Sequence, residues 1–185
     1  AGGGVQVTGS EFSSFSGLAK LTHRFGQDNE QVLRISYERW QSDGDNTEYS
    51  QTGTFPVFGT IDRDITDQTF VVSYENPASD TPWLDLNVNF SISDTQVWQG
   101  NSSSFIPSPL FQDGEYGYRT YSARADNTIE HLGENFTNHF TFGAQTSYQE
   151  RTAETTSGAI SFHPEGTDTK FGVFFQNEFT WNDRL

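Results

Sequence analysis

The sequence contains no cysteine, which excludes disulfide staples and thiolate metal sites. No stretch approaches 18 consecutive apolar residues, so no transmembrane helix is expected. Alanine, leucine and lysine are sparse, which argues against a helical protein. Ten basic residues face 25 acidic ones, for a net charge of −15, and that balance disfavours nonspecific nucleic-acid binding. The surplus carboxylates read as solvated acidic loops. No G-x-S-x-G, Walker or H-E-x-x-H motif occurs, so no catalytic constellation and no enzymatic activity are expected. Hydrophobic residues make up only 32 % of the chain, which is low for a packed globular core. The chain starts AGGGVQV, without Met or signal peptide, and stops at Trp181-Asn182-Asp183-Arg184-Leu185, a turn entering another strand. Both ends read as cut.

Aromatic residues, by contrast, are plentiful. They reach 15 %, 17 of them Phe, and most alternate with Thr, Ser, Asn, Gln or Asp. Disordered chains are poor in such residues. Seven strands are expected: Phe15 to Phe25, Gln31 to Trp40, Thr66 to Glu75, Trp83 to Trp98, Arg119 to His131, Phe136 to Thr152 and Lys170 to Trp181. The fourth alternates most cleanly. Leu84, Leu86, Val88, Phe90 and Ile92 fall on one face, and Asp85, Asn87, Asn89, Ser91 and Ser93 on the other. The sixth places Phe140, Phe142, Ala144 and Tyr148 opposite Thr141, Gly143, Gln145 and Ser147. In the seventh, Asn177 is the one exception on an otherwise apolar face.

Two features point past an ordinary β-protein. Strands of roughly 10 to 16 residues exceed the five or six usual in soluble domains. Connections also alternate between short turns and polar stretches of about 17 to 25 residues, as in outer-membrane barrels with short periplasmic turns and long outer loops. Trp40, Trp83, Trp98, Tyr148 and Trp181 sit near strand ends, where an interfacial girdle needs amphipathic rings. A barrel in lipid must close, and bacterial single-chain barrels have an even strand count of at least about eight. Seven strands therefore read as a sector of a larger barrel. A missed strand in VQVTGSEF would leave a small porin-like barrel open, and a soluble β-sandwich that binds glycans through exposed aromatics is a further alternative.

Four segments carry a family resemblance. GLAKLTHRFGQDNEQVLRISYER resembles the early barrel of TonB-dependent receptors, where a short acidic turn precedes an L-x-L-S-Y-x-R strand. FVVSYENPASDTPWLDLNVNFSIS is similar to the next hairpin of that family, with its N-P turn and W-x-D-L strand. NHFTFGAQTSYQE resembles its H-x-L-x-Y-G-x-E strand, and GTDTKFGVFFQNEFTWNDRL its G-x-F-x-Q-D-E-x-x-x-x-D-R-L hairpin. The pattern is most similar to the haem and haemoglobin receptor branch. The resemblance implies a 22-stranded antiparallel transmembrane β-barrel in the outer membrane of a Gram-negative bacterium. It also implies a plug preceding residue 1, contact with lipid and lipopolysaccharide, and transport driven by the TonB complex. The transported ligand would be haem or a ferric siderophore, with no tightly bound cofactor.

Few residues stand out as ligand contacts. His23 and His131 are expected near the short-turn end and His139 low in the sixth strand. His163, in the loop SFHPEG, is the histidine on the long-loop side, where a substrate arrives. Imidazole and phenolate both ligate haem iron, so His163 and the apical-loop residues Tyr49, Tyr116 and Tyr118 are the candidates. The runs Asp43-Gly44-Asp45-Asn46 and Asp62-Arg63-Asp64 bring oxygen ligands together, yet neither completes a calcium loop. They read as acidic loop. Asp85, Asn87, Asn89, Arg124, Asp126 and Glu178 are expected to line a lumen and meet a plug.

Overall fold

The computed structural model describes residues 12–48, 60–100, 113–155 and 163–181. These form seven strands: β1 (Ser13–Phe25), β2 (Gln31–Glu48), β3 (Thr60–Asn76), β4 (Leu86–Gly100), β5 (Gly114–Leu132), β6 (Phe136–Thr155) and β7 (Gly166–Trp181). They make one sheet in the order β1-β2-β3-β4-β5-β6-β7, every neighbouring pair antiparallel. No helix among the described residues is long and apolar enough to cross a membrane, which says nothing of strands.

Period-two alternation makes each cross-strand rank belong to one face. One rank runs Leu21, Ile35, Val72, Phe90, Ala123, Thr146 and Phe171. The next rank on the same face runs Ala19, Tyr37, Phe70, Ile92, Tyr121, Tyr148 and Thr169. On the opposite face, one rank reads Thr22, Arg34, Ser73, Asn89, Arg124, Gln145 and Gly172. The apolar face is bare. Phe171 is 75 % exposed and Phe175 71 %, while the buried hydrophobic residues among those described are only Val32, Ile61 and Ala153. A soluble sandwich needs a second sheet packed about 10 Å away. The described residues form a single layer, as expected of a barrel sector and unlike the β-sandwich alternative.

The polar face holds itself together with cross-strand bonds. Arg34 pairs with Glu75, Thr69 Oγ1 donates to Ser93 Oγ at 3.2 Å, and the Thr128 and Thr141 hydroxyls meet at 2.9 Å. Arg124 pairs with Asp126 at 2.7 Å and lies over the Phe174 ring at 4.7 Å. Beneath that ring is Gly143, where a Cβ would meet the Ala125 carbonyl and Phe174 at 2.6 Å each.

The strands run further than expected at the long-loop end. The acidic run Asp43-Gly44-Asp45-Asn46 is not loop but part of β2, and Asp62-Arg63-Asp64 is part of β3. Turn-forming residues misled here because they build a bulge rather than a turn. Pairing slips between Gly44 and Thr47, and Asn46 takes φ 51° with its N–H on Asp62 Oδ1 at 2.8 Å. Tyr116 and Tyr118 likewise lie within β5, not in an apical loop. Of the expected girdle, Tyr148 and Trp181 are on the apolar face, whereas Trp40 pairs with Ser16 and Asp67 on the polar face. Trp83 lies in the connection ahead of β4. The segment VQVTGSEF, Tyr49 and the stretch after Trp181 fall outside the described residues.

At the short-turn end, Gly26 at φ 84° starts a one-turn 3-10 helix, Gln27–Asn29. Glu30 then accepts hydrogen bonds from the backbone N–H and hydroxyl of Ser79, tying this turn to the β3–β4 connection.

Candidate functional site

Tyr116 and Tyr118 are two residues apart in β5, so both side chains leave the polar face on the same side. Gly117 lies between them, facing the other way. A Cβ there would come within 2.3 Å of the Thr95 carbonyl oxygen, so glycine lets β4 and β5 approach closely at this level.

His163, just ahead of β7, folds over this pair. Its ring centroid is 5.1 Å from that of Tyr116 and 4.7 Å from that of Tyr118, edge-on to the latter at 74°. Its Nε2 lies 3.2 Å from the Gly117 carbonyl oxygen. A carbonyl only accepts, so Nε2 carries the hydrogen, and in the neutral ring Nδ1 keeps the lone pair. The same segment is tied a second time, by the Ala153 N–H to Glu165 Oε1 at 3.4 Å.

Three of the four sequence-expected residues therefore converge on one spot at the long-loop end. Exposure separates their roles. His163 is 5 % exposed and buried, whereas Tyr118 is 41 % exposed. The Tyr118 ring is thus open to its surroundings, while the imidazole is engaged in packing and with the Gly117 carbonyl. Arg151, opposite Tyr118 in the β5–β6 register, was missed by sequence reasoning. Its Nε is buried without a hydrogen-bond partner among the described residues. The only available signal was its position in strand six, one of a continuous alternating series.

The remaining histidines lie where expected, at the short-turn end. His23 stacks on Phe25 at 5.6 Å, His131 packs beside Phe136 at 5.6 Å, and His139 Nε2 is 3.9 Å from Glu130. Among the described residues no three His, Asp or Glu side chains come together in a way that could hold a metal ion. Lower on the polar face, Asn89, Ser122, Arg124, Gln145, Ser147 and Lys170 line a groove of about 330 Å³. Arg124 and Lys170 each have a carboxylate two residues away, Asp126 at 2.7 Å and Asp168 at 3.0 Å, so the groove is close to electrically balanced.

No protein-family model matches the chain, and no curated protein matches it by sequence. A solved structure does match by shape. It is a double mutant of the Serratia marcescens hemophore receptor HasR, in complex with its hemophore HasA and heme. The TM-score is 0.74 at 19 % sequence identity, over 93 % of this chain and 23 % of that one. The chain thus spans about a quarter of the receptor it resembles. At that identity the likeness establishes the fold, an all-β antiparallel barrel sector of the kind found in that receptor.

Proposed function

We propose that this chain is a sector of an outer-membrane transport barrel of the TonB-dependent receptor type, serving uptake of an iron-bearing ligand, haem or a ferric siderophore. The observation that carries the reading is the two-faced single sheet. One face exposes Phe, Leu, Val and Tyr, while the other carries hydrogen-bonded Ser, Thr, Asn, Gln and ion pairs. Water does not favour the first face and hydrocarbon does not favour the second, so a barrel wall between lipid and an aqueous lumen satisfies both. The shape likeness to a hemophore receptor supports the class of ligand.

On this reading the long-loop end faces the outside, and Tyr118, Tyr116, His163 and Tyr49 are the ligand contacts. Tyr118 presents its phenol, and His163 holds the tyrosine pair in place. The partners are lipid and lipopolysaccharide on the apolar face, a plug and further strands on the polar face and edges, and the TonB complex. The unpaired backbone of β1 and β7 must be met by other strands, because hydrocarbon offers it no hydrogen bonds.

The test uses the intact protein that carries this chain, in a Gram-negative host deprived of free iron. Outer-membrane fractionation and growth on haem or ferric siderophore are expected; in a strain without TonB, fractionation persists and growth stops. A protein that remains monodisperse without detergent sinks the membrane reading. Growth that continues without TonB sinks the coupled-transport reading.

A further inference from the structure

Arg151 is a cation without an anion. It lies in β6 on the polar face, opposite Tyr118 of β5 and Gly166 of β7. On the same face Arg34, Arg124 and Lys170 each pair with a carboxylate, those of Glu75, Asp126 and Asp168. Arg151 pairs with none among the described residues. Its Nε is buried and has no hydrogen-bond partner among them.

Carboxylates are not scarce in this chain, which has 25 acidic residues against ten basic ones. Those closest to Arg151 along the strands are turned away or engaged. Glu150 and Glu154 are its neighbours in β6, but alternation puts both on the opposite face. Asp168 holds Lys170 at 3.0 Å, and Glu165 Oε1 accepts the Ala153 N–H at 3.4 Å. A guanidinium is always charged in a protein and presents its donors in a planar fork. A buried donor of such a group left unpaired is costlier than a neutral one.

The two flanks of Arg151 differ. Towards β5 stands the Tyr118 ring, 41 % exposed and held edge-on by His163 at 4.7 Å. Side chains directly opposite in a ladder have Cβ atoms roughly 4.5–5.5 Å apart, so the phenol and the guanidinium can reach one small group together. Towards β7, a Cβ on Gly166 would meet nothing within 4 Å, so that flank is open.

We propose that Arg151 and Tyr118 form a carboxylate subsite at the long-loop end of the polar face, which takes a propionate of haem. The proposal rests on the uptake reading above and adds to it the group that recognises the ligand's charge. Arg151 donates its Nε–H and one Nη–H to the two carboxylate oxygens, the paired geometry that arginine favours. The buried Nε is thereby satisfied, and the Tyr118 ring flanks the bound group.

The intact protein that carries this chain, purified in detergent, is titrated with haem and with haem dimethyl ester, and absorbance follows both. The ester keeps the iron and the porphyrin but has no carboxylate. Wild type is expected to bind haem roughly tenfold to hundredfold more tightly than the ester, as a hydrogen-bonded charge pair requires. Arg151→Gln is expected to bind both alike, at the wild-type affinity for the ester, which also shows that the variant is folded. Arg63→Gln, on the same face but three strands away, is expected to keep the wild-type preference. A preference that survives in Arg151→Gln overturns the subsite. A preference lost in Arg63→Gln too makes it a property of the whole face's charge, which also overturns the subsite. Loss of haem and ester binding together in Arg151→Gln assigns the residue to the fold, with the same consequence. Equal binding of haem and ester by wild type overturns the subsite and leaves haem uptake standing, whereas binding of neither removes both.

Discussion

The Nε2–H of His163 is directed at the carbonyl oxygen of Gly117, 3.2 Å away, from a ring held between Tyr116 and Tyr118. This contact joins the start of β7 to β5 across the polar face, skipping β6. It makes His163 a fastening for the tyrosines before it is anything else. Replacing His163 with Ala removes one hydrogen bond and two ring contacts, an expected loss of about 1–2 kcal/mol, read by denaturant unfolding of the reconstituted protein.

Ligand binding separates fastening from contact. Tyr118→Phe keeps the ring and deletes the phenol, so haem titration followed by absorbance is expected to show about tenfold weaker binding with unchanged stability, roughly one hydrogen bond to a charged or metal-bound group. His163→Ala is expected to weaken binding and stability together. Wild-type affinity in both variants removes this cluster from the ligand site.

Gly117 and Gly100 offer a controlled comparison. A Cβ at either position meets an atom at 2.3 Å, but at Gly117 that atom is the Thr95 carbonyl oxygen and at Gly100 it belongs to the Trp98 ring. Backbone in a ladder cannot swing aside, whereas an indole can. Gly117→Ala is expected to cost about 2–3 kcal/mol and Gly100→Ala below about 1 kcal/mol. Equal costs would show that the ladder yields as readily as a side chain.

The two faces of one strand pair should respond oppositely to charge. Phe142→Arg puts a cation in the middle of the apolar band, for an expected loss of about 2–4 kcal/mol in a bilayer. Gln145→Arg, on the polar face beside Arg124, is expected to cost under about 1 kcal/mol. Similar losses at both positions, by folding titration into lipid vesicles, would contradict a lipid face and an aqueous one.

Asp85, in the connection ahead of β4, holds its proton to higher pH than an ordinary aspartate. Desolvation under the turn is the main cause, followed by the carboxylates of Asp126 and Glu75. The folded chain therefore binds this proton more tightly than the unfolded one. Stability falls as pH rises from the unfolded titration, near about 3.9, through the folded one, and the ionised group opposes the fold above that. Asp85→Asn should stabilise the protein at pH 7 by less than about 1 kcal/mol, since the site is open to solvent. The gain should vanish near pH 3–4. A gain that persists there in the pH series would assign the effect to packing.

Much of the architecture was legible along the chain because a strand writes its two faces into alternate residues. Val88, Phe90 and Ile92 against Asn87, Asn89 and Ser91 specify a sheet with one apolar and one polar side, and all seven strands were found. Strand ends at the long-loop side were not. Gly44 and Asn46 have turn chemistry, and only the pairing with Ile61 and Asp62 makes them a bulge. Trp40 was misplaced for a related reason, since its face depends on register rather than on its nearness to a strand end.

Sequence by itself determined that the strands are long, two-faced and joined by turns short at one end, because period and turn chemistry are local properties. Tertiary structure alone decided that His163, more than 40 residues from Gly117 in the chain, closes on Tyr116 and Tyr118. It alone decided, too, that Trp40 stands on the polar face, opposite Ser16 and Asp67. Both are facts of cross-strand register, and register is fixed by which ranks pair across the sheet, a relation no local pattern contains.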